Sequence, residues 1–429
     1  MQIIKYPHKE QWSEIIRRPA FNDVQLLASV REILYDIQKR GQEAIVEYAR
    51  KFDKVSLDDF EVSEEEKSLA NKQITDELKQ AIQIAKQNIA VFHSAQKQEL
   101  PRIETLPGVT CWQKMVPIEK VGLYIPGGTA PLFSTVLMLA VPAQIAGCRE
   151  IILCTPPNPD GTIHPAILYA AQTAGVSRIF KIGGIQAIGA MAYGGSSIPQ
   201  VYKIFGPGNR YVTAAKQVAG GIDVAIDLPA GPSEVAVIAD YTANPAFVAS
   251  DLLSQAEHGP DSQALLLTDS EKLADQAANE TAKQLEQLPR KEWAEQSLKH
   301  SKILVLHNQA EIIELANLYA PEHLIIETEN YHAVEEQIIN AGSVFLGHYA
   351  PESAGDYASG TNHTLPTNGH AKAFSGVNLD SFVKKITFQE ITREGIRNLA
   401  PTLEIMAENE HLHAHKNAVS LRIQNAGKK

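Results

Sequence analysis

Apolar residues recur every three to four positions over the first hundred residues, and then the rhythm changes. Leu26, Leu27, Val30, Ile33, Leu34 and Ile37 follow the i, i+3, i+4, i+7 spacing of one buried helical face. Ser63 followed three residues later by Glu66 has the form of a capping box, which predicts a helix opening there and running on through Ala81, Ile84 and Ile89. From Lys120 onward short apolar runs take over: VGLYIP (121–126), IILCTP (151–156), RIFKIGG (178–184) and VYKIFGPG (201–208). A second series follows: EVAVIAD (234–240), ALLLTD (264–269), KILVLH (302–307), HLIIET (323–328) and SVFLGH (343–348). Segments of helical length, rich in Ala and Leu, separate them. Strands alternating with such helices predict βαβ units around buried parallel sheets. The expected fold class is α/β, with two doubly wound arrays in tandem. Past about residue 380 the pattern returns to helix. That tail is too small to bury a good core alone, so it is expected to dock on another surface, a partner subunit among the candidates.

The expected division is a helical N-terminal region over 1–110, a first array over 111–232, a second over 233–375 and a C-terminal tail over 376–429. A length of 429 residues suits two to four domains, and 44% hydrophobic with 21% charged residues is ordinary for a globular protein. Lys plus Arg number 39 against 50 Asp plus Glu, a formal charge of −11, and no basic stretch is clustered, which argues against a nucleic-acid partner. No apolar run reaches bilayer length and residues 1–5 do not open a signal peptide, so no membrane partner is expected. Cys111, Cys148 and Cys154 form no disulfide framework, which points to a reducing, cytoplasmic setting.

Several short stretches carry possible chemistry. In QAEH, Gln255 and His258 are i and i+3, so an amide oxygen and an imidazole nitrogen can share one metal ion. His258 can equally serve the helix dipole at a last turn. In APEHLIIE, Glu322 and His323 precede a strand, either as two bases facing one pocket or as a solvated acid–base pair. Asp356 and His363 lie in the loop ESAGDYASGTNHTLPT after the last strand of the second array. Ligands of such sheets bind at the carboxyl ends of strands, although Asp356 after Gly355 also suits a plain turn. In the tail, Glu410 adjoins His411, His413 and His415, of which His411 and His415 share a helical face. No G-x-G-x-x-G occurs. YIPGG (124–128) and FGPGN (205–209) each follow a strand and precede a helix, where glycine lets backbone N–H groups approach a phosphate. Cys148 and Cys154 sit in apolar AGCREIILC and read as packing rather than as a thiolate nucleophile.

Taken in order, VGLYIPGG, GGIQAI, FGPGN, DLPAGPSE, DLLSQAEHGPDSQ, APEHL, AGDYASGTNHTLPT and AHKNAV resemble the histidinol dehydrogenase family from about residue 20 to the C-terminus. The resemblance implies two tandem incomplete Rossmann-like domains in an intertwined homodimer. It implies oxidation of L-histidinol to L-histidine through the aldehyde with two NAD and one water, the last step of histidine biosynthesis. It places one Zn2+ per subunit on Gln255, His258, Asp356 and His415, and catalysis on Glu322 and His323. His323 would take the hydroxyl proton and Glu322 would activate the water. Substrate contacts fall on Ser233, His363 and Glu410 besides Gln255, His258, His323, Asp356 and His415, and NAD contacts on Tyr124, Gln186 and Asn209. The tail, with Glu410 and His415, would complete the neighbouring subunit's site. A zinc hydrolase with Glu322 as base, or a non-catalytic protein stabilised by a metal, would use the same residues differently.

Overall fold

The computed structural model describes residues 1–19, 24–57, 59–127, 130–221, 223–228 and 231–426. Its contacts divide the chain into two units, Met1–Ala95 with Ile118–Phe382 and Gln96–Pro117 with Val383–Lys429. No helix among the described residues is long and apolar enough to cross a membrane.

In the first unit the expected N-terminal helix runs Val24–Arg40 and buries Val30, Leu34 and Ile37. The capping box at Ser63 forms, with Glu66 N–H donating to Ser63 Oγ (3.2 Å) and Ser63 N–H to Glu66 Oε2 (2.8 Å). The helix it opens, Glu64–Gln73, does not continue through Ile89. Ile74 is extended, and Thr75 starts a new helix, Asp76–Ser94, by accepting from Leu78 N–H. A second local cap interrupts what periodicity alone joined. The buried face of the new helix is Ile82, Ala85 and Ile89, while Ile84 faces out.

All nine strands expected from the apolar runs form, in two wholly parallel sheets. One sheet has the spatial order Arg178–Lys181, Glu150–Thr155, Lys120–Tyr124, Lys203–Phe205, Ala225–Ile226. The chain starts centrally at Lys120–Tyr124, steps twice to one side, then crosses to the other. Leu123, Leu153 and Phe205 pack on one face and Tyr124, Ile152 and Phe180 on the other, so the strands read as continuous apolar runs. The other sheet is ordered Gln2–Lys5, Lys302–Val305, Gln263–Thr268, Glu234–Ala239, His323–Glu327, Ser343–Leu346, and its winding reverses between Glu234–Ala239 and His323–Glu327. Its edge strand Gln2–Lys5 comes from the region expected to be helical. Ile3 and Ile4 pair with Ile303 and Leu304, a partnership that no local pattern announces.

The second unit holds a three-stranded antiparallel sheet, Val383–Ile391, Val109–Pro117 and Ile103–Leu106, with the helices Arg393–Asn409 and His413–Ala426. The chain past 380 therefore opens with a nine-residue strand before the expected helices. Ile386 and Phe388 alternate with polar residues, and Phe388 stacks on Trp112 of the neighbouring strand at 5.4 Å. Ile405, Met406 and Leu421 of its helices, and Leu412 between them, remain exposed.

Candidate active site

The helix Gln309–Tyr319 ends on Ala320, which adopts a left-handed conformation (φ 51°, ψ 67°). A residue with a Cβ takes that conformation at a cost of about 1–2 kcal/mol. The turn and Pro321 deliver Glu322 and His323, both buried, to the start of the strand His323–Glu327. Both rest on Glu234, the first residue of the adjacent strand. Its N–H donates to Glu322 Oε2 (2.9 Å), and its carbonyl faces His323 Nδ1 (3.3 Å). A carbonyl only accepts, so Nδ1 carries a proton and Nε2 is the position able to change state. His323 Nε2 has no hydrogen-bond partner among the described residues and lies 3.6 Å from Asp356 Oδ1.

Three carboxylates surround this imidazole. Glu322 Oε2 and Glu352 Oε1 stand 3.7 and 3.8 Å from Nδ1, opposite Asp356. Burial pushes the Glu322 carboxyl up to about 8, against the lowering pull of His323 and the Glu234 N–H. Burial alone would lower His323, but Glu352, Glu322 and Asp356 outweigh it and raise the imidazole. Asp356 is held below the usual carboxylate range, because His323, His363 and His258 outweigh its burial.

Gln255 is fully buried in the last turn of the helix Pro245–Ala256. Its amide NH2 donates to both oxygens of Glu352 (2.6 and 2.9 Å) and its oxygen accepts from Glu234 N–H (3.2 Å). His258 does not lie on the helix itself, as the i, i+3 spacing suggested. The helix stops at Ala256 with Glu257 as cap, and His258 follows in a turn closed by its N–H on Gln255 O (3.3 Å). There the exposed ring meets Glu352 and Asp356: one ligand atom from each of the three lies within 4.8 Å of the others. An imidazole nitrogen and carboxylate oxygens, next to an excess of buried negative charge, suit a divalent cation such as zinc. Glu352 was not among the expected ligands. His363 is oriented from both sides, Nδ1 on Asp356 O (2.8 Å) and Nε2 on Thr135 Oγ1 (3.0 Å). Ser233 is half-buried just before Glu234. Glu410 and His415 belong to the second unit, Glu410 capping Arg393–Asn409 and His415 in the first turn of His413–Ala426, both exposed.

The side of the sheet also differs from expectation. Glu234, Glu322 and His323 stand at the amino ends of their strands, not the carboxyl ends where open parallel sheets usually bind ligands. After Ser343–Leu346 the chain turns back, and the short helix Glu352–Tyr357 brings Asp356 to that opposite edge.

The first sheet keeps to the rule. Tyr124 and the loop following Phe205 lie at the carboxyl ends of the two strands between which the winding reverses. The Tyr124 hydroxyl is buried and accepts from Gly184 N–H (3.1 Å). Gln186, fully buried, donates to Asp53 Oδ2 (3.0 Å), and its Oε1 has no partner among the described residues. Asn209 caps the helix Arg210–Gly220, its Oδ1 accepting from Tyr211 and Val212 N–H. Gly128 of YIPGG, like Pro229 and Ala230 of DLPAGPSE, lies outside the described residues.

Gly206 has φ 125°, and a Cβ there would sit 2.0 Å from Tyr124 O. Its N–H donates to Asp227 and its carbonyl accepts from Lys216, a buried ion pair that fixes the loop. Gly206→Ala is expected to cost about 2–5 kcal/mol from backbone strain and overpacking. Urea unfolding checks this; a variant as stable as the parent would contradict the close approach.

The thiols of Cys148 and Cys154 are poor nucleophiles. Burial pushes Cys148 up to about 12 and Cys154 higher still. Cys148→Ala and Cys154→Ala are expected to lower the melting temperature while leaving turnover per folded molecule unchanged. A folded Cys154→Ala protein without turnover would revive a thiohemiacetal route.

Residues 16–423 match the family Histidinol dehydrogenase. The chain is 64% identical over 423 residues to the histidinol dehydrogenase of Bacteroides thetaiotaomicron, covering 99% of each. It is 52% identical over 417 residues to that of Escherichia coli, covering 96% of this chain and 95% of the relative. The crystal structure of histidinol dehydrogenase from Elizabethkingia anophelis is 55% identical, covers 100% of this chain and 99% of that one, and superposes with a TM-score of 0.97. With such coverage and identity, the chain belongs to the histidinol dehydrogenase family.

Proposed function

We propose that this chain oxidises L-histidinol to L-histidine through the aldehyde with two NAD and one water, the last step of histidine biosynthesis, with His323 and Glu322 as its bases. The observation that carries the residue assignment is the shared anchorage of both bases on the Glu234 backbone, beside the His258, Glu352 and Asp356 cluster. Family membership displaces the hydrolase and non-catalytic readings of these residues.

Gln255, His258 and Asp356, with His415 of the partner subunit, would hold one Zn2+ per subunit. For Gln255 this requires its amide oxygen to turn from Glu234 N–H toward the cation, while Glu352 remains beside it as an alternative donor. When bound, the cation orients the imidazole and amine nitrogens of histidinol and offsets the carboxylate field that otherwise keeps His323 protonated. His323 Nε2 takes the hydroxyl proton as the first hydride leaves for NAD, and passes it to solvent. Glu322, which the same positive charge would bring to its ionised form against the upward push of burial, takes a proton from the water that adds to the aldehyde. His323 takes the second hydroxyl proton as the second hydride leaves, which yields the carboxylate, the water proton having gone to Glu322 and from there to solvent. Ser233 and His363, with Glu410 of the partner subunit, complete the substrate contacts.

Tyr124, Gln186 and Asn209 mark the NAD site, supported by their place near the reversal of the first sheet and by the unpartnered oxygen of Gln186. The strand orders support two incomplete Rossmann-like domains in tandem. The exposed apolar residues of the second unit support its use as an interface in an intertwined homodimer. Three free cysteines support a cytoplasmic setting. Protein loaded with zinc and given histidinol and NAD is expected to produce two NADH per histidine formed. No NADH from the loaded protein would overturn the proposal.

A further inference from the structure

Glu234 holds Glu322 through its backbone N–H and His323 through its carbonyl, so its own position sets the position of both bases. Its backbone is paired into the sheet beside Gln263, and what fixes its side chain lies 216 residues away in sequence. Arg18 grips its carboxylate with a two-pronged contact, Nε to Oε1 (2.6 Å) and Nη2 to Oε2 (2.7 Å). The same Nη2 donates to Tyr319 O (2.7 Å), at the end of the helix that leads into the bases, and the guanidinium lies 4.0 Å over the Tyr319 ring. Tyr319 is itself tied by its hydroxyl to Gln263 Oε1 (2.8 Å), and Asn368 N–H adds a further bond to Glu234 Oε1 (2.6 Å). One planar cation thus joins the residue the bases hang from to the turn that delivers them. A lysine, as a point charge, cannot reproduce that fork.

We infer that Arg18 is a positioning residue for the oxidation, acting through Glu234 to hold Glu322 and His323 in place. The inference rests on the assignment of those two residues as the bases. Among the described residues Arg18 donates to neither of them; its bonds go to the Glu234 carboxylate and to the carbonyls of Tyr319 and Ala320. Its removal releases the anchor of both bases at once, so both oxidation steps suffer together. Displacements of about 1 Å from remote changes cost on the order of 100-fold in rate.

The test is Arg18→Met and Arg18→Lys, assayed with histidinol and, separately, with the aldehyde. The expected result is a fall in kcat of about 10- to 100-fold for both substrates in Arg18→Met, with KM for NAD within about twofold. Arg18→Lys keeps the charge and is expected to fold where Arg18→Met does not, yet still to lose kcat. In Arg18→Ala, ethylguanidinium is expected to restore part of the lost kcat, which a purely structural role would not show. Parent-like kcat in folded Arg18→Met or Arg18→Lys, or no response to ethylguanidinium in a folded and impaired Arg18→Ala, would overturn the inference. His323→Asn and Glu322→Gln run alongside: if both keep full turnover, the base assignment has failed, whereas if both lose it and the Arg18 variants do not, only the role of Arg18 falls.

Discussion

His323→Asn is expected to lower kcat by about 100- to 10,000-fold, the usual contribution of a positioned general base. Asparagine keeps a side-chain N–H that can reach Glu234 O, so the strand start should stay intact, but it has no nitrogen that takes a proton in place of Nε2. The loss should appear in both oxidations, since each removes a hydroxyl proton. Glu322→Gln is the informative contrast. Its amide oxygen can still accept from Glu234 N–H, so the geometry survives while the base is lost. Oxidation of the aldehyde, which needs an activated water, should fall further than oxidation of the alcohol. Separate kinetics on histidinol and on the aldehyde check both variants. Equal losses in Glu322→Gln would contradict a water-activating role for that carboxylate.

His258→Asn is expected to weaken zinc and histidinol binding together, each by more than about 100-fold, the upper range for losing even an outer partner of a metal site. His258 is the imidazole of the cluster in which Glu352 and Asp356 are the carboxylates. With it gone, two carboxylates remain near Gln255, and a borderline cation has lost its nitrogen donor from this unit. The linkage between metal and substrate is the diagnostic part. If the metal anchors the substrate nitrogens, histidinol affinity measured by calorimetry must fall with metal content measured by elemental analysis. Parent-like histidinol affinity in a zinc-poor His258→Asn protein would remove the anchoring role.

The parallel sheets were legible because strands buried on both faces need continuous apolar runs, and every such run became a strand. The edge strand Gln2–Lys5 and the strand Val383–Ile391 were not legible. Each gains its place from partners some 300 and 270 residues away, at Lys302–Val305 and Val109–Pro117. At the site, chemically unusual local pairs, Gln255 with His258 and Glu322 with His323, stood out from their surroundings, and the structure gathers them beside Asp356. Glu352 and Glu234 did not stand out. An ordinary glutamate at the start of a helix or strand carries no mark of what it meets, and what these two meet is the distant amide of Gln255, Arg18, Glu322 and His323. The edge of the sheet was misjudged because the return of the chain through Glu352–Tyr357 is a tertiary event, absent from any window of sequence.

In the proposed site, Gln255, His258 and Asp356 of one subunit would share one metal ion with His415 of the partner subunit, within reach of His323. Co-expression of His323→Asn and His415→Asn chains under two different tags, with purification of the mixed dimer, tests this directly. In that dimer one site carries both defects and the other carries neither, so about half of the parent activity per dimer is predicted. A purified mixed dimer no more active than its two inactive parents would contradict it.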